Sequence, residues 1–358
     1  MDGRPAGLAL IDGRAHELRV LVALASGVPA VALAHVDVSP AADAWTAWDF
    51  KADIAGGIVL VALLYAAGMW RLRAKERFSL PWRQAAFFGG LAALFLALQS
   101  PLDALAGHSF FMHQLQHLLL QTVAPVLLML AAPQAALVAG FPAPLRRAIV
   151  APILASRPVR EVFGFLVRPW SAALLLVASL YAWHWPAYHD LALRDEPVHY
   201  LMHITMLAAG LLFFSCIFDS RPAPLGARYG ARINALWAAM TACMLLGAGL
   251  ALKSTALYPA YDELGRLWHM GALEDERLGG LIMWIPGSAA WVPAFLVLLR
   301  RWDTQEARLH DRRRRGIAPA VAATATANCR LGLLIGLLAL GGFVTTLAIG
   351  WIATAAHR

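Results

Sequence analysis

The sequence predicts an all-α membrane protein: a polytopic helix bundle with a seven-helix core, one further C-terminal helix, and a signal peptide in front. Of its 358 residues, 60% are hydrophobic and 15% are charged, whereas soluble domains carry about 25% charged residues. Apolar runs about as long as a bilayer crossing recur along the chain, and they are continuous blocks without the alternating polarity of a membrane β-barrel. The formal charge of +8 comes from loop arginines that report topology, so no nucleic-acid partner is predicted.

Residues 1–34 have the features of a secretory signal peptide. Arg14 and Arg19 precede an apolar run at 20–34, and Ala32-Leu33-Ala34 matches the A-x-A cleavage pattern. An uncleaved first helix is the alternative. Cleavage would leave His35 at the amino terminus, where an amine and an imidazole together can chelate copper, although a residue that simply follows the cut is the plainer interpretation.

Eight membrane spans are predicted after the signal. They are residues 54–70, 84–98, 110–131, 170–184, 199–218, 233–252, 279–299 and 331–352. The first seven form a core domain within residues 35–300. A basic cytoplasmic loop at 301–330 separates this core from the eighth helix, in the segment 331–358. A helix break is expected at Pro286 and Gly287, either as a cavity lining or as a packing kink.

The distribution of charge predicts the orientation of the spans. Arginines and lysines cluster in the loops after spans one, three, five and seven, which are therefore predicted to be cytoplasmic. The intervening loops hold many carboxylates and few cations, and are predicted to face the periplasm. Both mature termini would then be periplasmic in a bacterial inner membrane. The basic, partly apolar stretch 146–168 is predicted to lie on the inner membrane surface as an interfacial helix.

Ten of the twelve histidines are predicted on the periplasmic side. His113/His117 and His199/His203 each have the i,i+4 spacing that puts two side chains on one helical face. His184, at the end of the fourth span, lies at a similar depth, and so do three methionines. The predicted metal ligands are therefore His113, His117, His184, His199, His203, Met112, Met202 and Met206, with Met283 as a further option.

This mixture of side chains favours copper as the metal. Imidazole with thioether suits copper, and methionine favours Cu(I). An all-imidazole subset would also suit zinc, and facing histidines on different helices could hold haem. The alternatives are thus a haem-binding membrane redox protein and a zinc-dependent intramembrane hydrolase. His189 and His269 are predicted to lie in loops and are not expected to be ligands.

Four motifs in order resemble the CtaG family of cytochrome c oxidase assembly factors. The sequence HQLQHLLL at 113–120 is similar to that family's HMxQHLLL segment, and WHWP at 183–186 to its WHxP stretch. His199 and His203 match its paired histidines. YPAY at 258–261, LEDE at 273–276 and GGLIMWIPG at 279–287 resemble its YPxY…LeDQ…GGLiMWipG block. Two positions differ, because Gln114 and Glu276 stand where the family has Met and Gln.

The resemblance implies a membrane-embedded assembly factor that binds copper and delivers it to a haem-copper oxidase. It implies the five histidines named above as the metal site, an oxidase subunit as the partner within the lipid membrane, and periplasmic copper chaperones as further partners. Such a protein would not be an enzyme.

Overall fold

The computed structural model describes residues 46, 48–72, 80–221 and 226–316, which form helices with no β-strand among them. In chain order the helices are α1 (Ala52–Leu72), α2 (Pro81–Gln99), α3 (Pro101–Ala106), α4 (Phe110–Leu130), α5 (Gln134–Gly140), α6 (143–155), α7 (Arg157–Leu166), α8 (Pro169–Trp183), α9 (Pro186–Arg194), α10 (Glu196–Ile217), α11 (Tyr229–Leu252), α12 (Ala260–Leu264), α13 (Ala272–Ala289) and α14 (Val292–Arg314). The signal peptide, His35 and the eighth predicted span lie outside the described residues.

The predicted class, an all-α membrane bundle, is confirmed. Among the described residues, α1, α10, α11 and the stretch Ala272–Arg314 are each long and apolar enough to cross a membrane. Two bent pairs raise the number to six if each counts as one crossing: α4 with α5, bent by 79°, and α7 with α8, bent by 71°. The α2 helix forms over the second predicted span. A core of seven spans stays a prediction.

The central helix is α4, which packs against α2, α10 and α13. Its middle, Leu119–Val123, is π-helical. Pro125 follows directly and has no N–H for the carbonyl of Gln121, so the helix widens just before it. Gly210 of α10 lies against this point, where an added β-carbon would clash with the Gln121 carbonyl and the Pro125 ring. This close approach brings the histidines of α10 near those of α4.

The expected break at Pro286 is wrong. Pro286 lies inside α13, which continues to Ala289, and the interruption is at Ala290 and Trp291. A proline removes one backbone hydrogen bond, and a membrane helix that is packed on its neighbours tolerates this loss. The following helix α14 runs to Arg314, so residues 301–314, which were expected in a loop, are helical. Arginine is a good helix former, and this property outweighed the loop-like charge of the segment.

The stretch 146–168 has the character of the predicted interfacial helix. Within α6 and α7, Ile153, Val162 and Phe163 are exposed, and arginines lie among them. The axis of α7 is bent by 71° from that of α8, so the two helices point in very different directions. A helix with this orientation, a basic face and exposed apolar side chains suits a membrane surface.

The bundle has two chemically different ends. We call the end that contains the start of α4, the end of α8 and the start of α10 the histidine end, and the opposite end, with α6 and α7, the basic end. The histidine end also holds cations, contrary to the simple charge pattern. Four of these, Lys51, Arg194, Lys253 and Arg266, pair with carboxylates, so they are neutralised locally.

Candidate metal centre

Six imidazoles meet at the histidine end, and we call them the histidine cluster. They are His113, His117, His184, His189, His199 and His203. The ring centroids of His113 and His117 on α4 lie 4.3 Å apart, as do those of His199 and His203 on α10. Across the two helices, His113 stacks on His199 at 5.3 Å and His117 meets His203 at 5.8 Å. The structure therefore brings all five predicted histidines together and adds a sixth.

Three members of the cluster, His113, His117 and His203, have the geometry of a metal site. One ring nitrogen from each lies within 4.8 Å of the other two. All three side chains are buried. Three nitrogens bound to one ion at about 2 Å would lie roughly 3 to 4 Å apart, so small side-chain rotations would close the site. We call these three residues the inner trio.

The inner trio also contains buried nitrogens that lack a partner among the described residues. These atoms are Nε2 of His113, Nε2 of His203 and both ring nitrogens of His117. A buried polar atom without a hydrogen bond costs roughly 1–3 kcal/mol, and such atoms in a native protein call for an explanation. A bound cation would satisfy one of these nitrogens on each ring and would leave only the N–H of His117 without a partner, so the trio fits a metal better than a structural packing role.

A chain of hydrogen bonds sets the tautomer of His113. His189 donates through Nδ1 to the carbonyl of Trp183 at 3.1 Å, so its Nε2 accepts from the hydroxyl of Tyr261 at 2.8 Å. The Tyr261 oxygen in turn accepts from Nδ1 of His113 at 2.8 Å. Burial raises the pKa of Tyr261 well above its usual range, so the hydroxyl keeps its proton. His113 thus keeps a lone pair on Nε2, which is one of the unpartnered nitrogens of the inner trio.

His184 is held differently from the inner trio. Its Nδ1 donates to the carbonyl of Leu180 at 2.7 Å, and its Nε2 lies 2.7 Å from Oε1 of Gln114. A neutral imidazole that donates through Nδ1 must accept at Nε2, so we assign the Gln114 amide in the opposite orientation, with its NH₂ group as the donor; this orientation also gives a partner to the otherwise unpaired Nε2 of Gln114. Both nitrogens of His184 are therefore engaged, and this residue supports the wall of the cluster in the described conformation. Its role as a ligand stays a prediction.

The prediction that His189 lies in a loop, away from the cluster, is wrong. The residue lies on α9, is fully buried, and its ring is 4.9 Å from that of His113. Pro186 could have revealed the helix, because proline is favoured at the first helical position. A helix that begins there turns His189 back toward the end of α8. His269 is exposed in a short 3-10 turn and is not among the cluster contacts.

The predicted methionines lie in apolar surroundings. Met112 packs with Leu102, Leu105 and Leu267, while Met202 and Met206 belong to a cluster with Leu180. Their role as ligands also stays a prediction.

Other sulfur-containing side chains line a cavity together with one member of the inner trio. A cavity of about 40 Å³ is lined by His117 together with Met240, Cys243 and Met283. Met283 had been considered from the sequence, whereas Met240 and Cys243 had not, because their helix α11 carries no histidine.

Two acidic residues of α13 stabilise the histidine end through hydrogen bonds and ion pairs. Asp275 accepts from the backbone N–H of Phe110 at 2.9 Å and from Ser109 Oγ at 2.8 Å, at the start of α4, and it pairs with Arg266. A carboxylate at this position satisfies orphan donors and matches the helix dipole.

Glu276 fastens the loop that follows α11. It accepts from the backbone N–H groups of Leu257 at 2.8 Å and Tyr258 at 3.0 Å, and it pairs with Lys253. The two backbone bonds use both carboxylate oxygens of Glu276, so the family's Gln, with one acceptor oxygen, could replace only part of this set and could not form the ion pair with Lys253. This departure from the family pattern therefore lies in a scaffold position.

Comparisons with known proteins identify relatives of this chain. Uncharacterized proteins of Mycobacterium bovis and Mycobacterium tuberculosis are each 30% identical to this chain over 274 residues, which is 75% of this chain and 41% of theirs. An uncharacterized protein of Mycobacterium leprae is 27% identical over 275 residues, or 74% of this chain and 41% of its own. The chain thus spans about two fifths of the length of these relatives. No solved structure matches the chain significantly.

The family comparison covers most of the bundle. The model of the cytochrome c oxidase caa3 assembly factors matches residues 63–305, a range that contains the whole histidine cluster and the acidic residues of α13. By this match the chain belongs to the CtaG family of cytochrome c oxidase caa3 assembly factors.

Proposed function

We propose that this protein binds copper with His113, His117 and His203 and hands it to a haem-copper oxidase during assembly of that enzyme. The observation that carries the proposal is a set of three buried imidazoles that each offer a ring nitrogen within 4.8 Å of the other two and that each contain an unpartnered nitrogen. Family membership supports the oxidase as the client. In this role the protein is a metal carrier and not a catalyst, and copper is its cargo.

The packing of the rings favours a single ion over haem. A bis-histidine haem lies between two imidazoles, and the macrocycle needs an open slot between helices. Here His113 contacts His117 at 4.3 Å and stacks on His199 at 5.3 Å. The rings fill the space that a porphyrin would need.

The ligand types favour copper among single ions. Three imidazoles suit copper and also zinc. The cavity at His117 is also lined by Met240, Cys243 and Met283, and soft sulfur donors from such residues would favour Cu(I). We place the site on the periplasmic side of a bacterial plasma membrane, where copper chaperones could supply it and an oxidase subunit could accept it.

Metal analysis of the purified protein tests this function. We expect about one copper ion per inner trio, and loss of that ion in a His113→Gln, His117→Gln double variant. His269→Gln is the matched control, because His269 is an exposed histidine at the same end and should leave the copper content unchanged. A Soret absorption band or stoichiometric zinc in the native protein would contradict the proposal.

A deletion strain extends the test to cells. Loss of the gene should lower oxidase activity and the copper content of the oxidase, and added copper should partly restore both. The double variant should fail to complement the deletion, while His269→Gln should complement it. A normal metal content in the oxidase of the deletion strain would contradict copper delivery.

A further inference from the structure

A second cavity lies beside the inner trio, on the other side of His203. Its volume is about 210 Å³, and it lies between α1, α2 and α10. Apolar residues such as Ile54 and Leu207 form part of its wall, while Lys51, Asp103 and His199 supply polar groups. This cavity is several times larger than a single ion requires, so its polar residues can be reached by a hydrated cation.

Three side chains of this cavity form a second group with metal-ligand spacing. One ligand atom each from Asp103, His199 and His203 lie within 4.8 Å of one another. Asp103 and His199 are partly exposed, whereas the inner trio is buried. His203 belongs to both groups. The two groups therefore form a path from a more accessible position to a buried one, with a common residue between them.

Two neighbouring side chains fix the orientation of the Asp103 carboxylate. Its Oδ1 accepts from the side-chain amide of Gln116 at 2.6 Å, and its Oδ2 pairs with the ammonium of Lys51 at 2.6 Å. Lys51 in turn lies 5.6 Å from the centre of the Tyr200 ring. Because the side chain of Asp103 is only 11% exposed, its charge needs a nearby cation. Lys51 supplies one, and a metal ion could take its place.

We propose that Asp103, His199 and His203 form an outer metal position through which copper enters the inner trio. Lys51 neutralises Asp103 when the outer position holds no ion, and it moves aside when a cation binds. The ion then passes inward: it stays bound to His203 and exchanges its ligands Asp103 and His199 for His113 and His117. A carboxylate with two imidazoles suits Cu(II), and the three imidazoles of the inner trio also accept Cu(II), so this ion is the probe for both positions and passes inward with no change of oxidation state. The proposal rests on copper being the cargo of the inner trio.

The test follows Cu(II) loading of the full-length purified protein in lipid nanodiscs. Asp103→Asn and His199→Gln should slow the loading of the inner trio about tenfold or more, while the final copper content falls little. Lys51→Met should speed loading, because the competing ammonium is gone. Asp53→Asn is the control, since Asp53 is an exposed carboxylate at the same cavity outside the ligand group, and it should load like the native protein.

Two outcomes separate this proposal from the proposed function. If Asp103→Asn and His199→Gln load at the native rate, the outer position is refuted while the inner trio stands. If the His113→Gln, His117→Gln variant binds as much copper as the native protein, the inner trio itself fails. Should Asp103→Asn not fold, His199→Gln and Lys51→Met still decide the question, because neither removes the carboxylate that Gln116 contacts.

Discussion

The hydroxyl of Tyr261 joins two histidines that belong to different helices. It accepts from His113 and donates to His189, each at 2.8 Å. This position is that of an outer residue that orients a metal ligand, and such residues typically contribute 10–100-fold to metal affinity. Under the proposed function the tyrosine is a positioning residue, because it would act on the metal through His113.

Replacing Tyr261 with Phe should weaken copper binding by roughly 10–100-fold and leave the helical content unchanged. The substitution removes the acceptor for His113 Nδ1, so the ring loses its fixed tautomer. Titration of the purified variant with copper, against a competing chelator, measures the change. Tyr258→Phe is the matched control, since Tyr258 donates to the carbonyl of His184 at 2.7 Å and contacts no member of the inner trio by hydrogen bond. Equal affinities for both variants would refute the positioning role.

At the scale of single residues, spacing alone identified most of the cluster. The two i,i+4 pairs on α4 and α10 follow from helical geometry, and the structure brings them together. The sequence could not show that both ring nitrogens of His184 are hydrogen-bonded, one to Leu180 and one to Gln114. The second bond depends on how α4 packs against α8. The proximity of Asp103 to His199 and His203 could not be predicted either, because it depends on how α10 packs against the chain between α2 and α4.

At the scale of elements, the contact between α11 and α13 depends on two glycines. An added β-carbon at Gly247 would lie 2.8 Å from the backbone nitrogen of Trp284, and one at Gly280 would lie 2.8 Å from the carbonyl oxygen of Gly247. Because α13 carries Asp275 and Glu276, this contact determines where these two carboxylates meet the start of α4 and the loop after α11. Close packing of small residues is a general way for membrane helices to associate.

Gly247→Ala should lower the free energy of unfolding by about 1–3 kcal/mol, because the methyl group would push against backbone that cannot move away. Gly249→Ala is the matched control on the same helix, where a β-carbon meets nothing within 4 Å. The control should be neutral, or stabilising by up to about 1 kcal/mol, since alanine favours helix. Thermal unfolding of both variants in detergent measures the difference, and equal midpoints would show that α11 and α13 do not pack this closely.

Sequence patterns predicted the existence of the helices better than their interruptions. Pro286 suggested a break, yet the helix continues through it and ends three residues later. Pro125 did not suggest one, yet a π-helical segment precedes it, next to His117. A proline deletes the same donor at each site, and the neighbouring helices decide whether the backbone widens, bends or stays regular. Gly210 of α10, pressed against Gln121 and Pro125, is the neighbour that matters here, and its position is a tertiary property.

At the scale of the molecule, the order of apolar blocks and the uneven charge were enough to predict an all-α membrane bundle. They also placed the histidines at one end. The pairing of Lys51, Arg194, Lys253 and Arg266 with carboxylates at that end was not predicted, because ion pairs across loops depend on the fold. Because the positive-inside rule counts arginine and lysine rather than net charge, these ion pairs do not change the predicted orientation, in which the basic end is cytoplasmic.

This orientation can be tested with two matched cysteines in a variant whose three native cysteines are replaced by serine. Glu263, on α12 at the histidine end, and Glu161, on α7 at the basic end, have side chains that are 61% and 64% exposed, and each is paired with an arginine. Because arginine-rich loops stay in the cytoplasm, a membrane-impermeant maleimide should label Glu263→Cys in cells with a permeable outer membrane. Glu161→Cys should be labelled only after lysis. The reverse pattern would put the histidine cluster on the cytoplasmic side, away from any periplasmic copper supply.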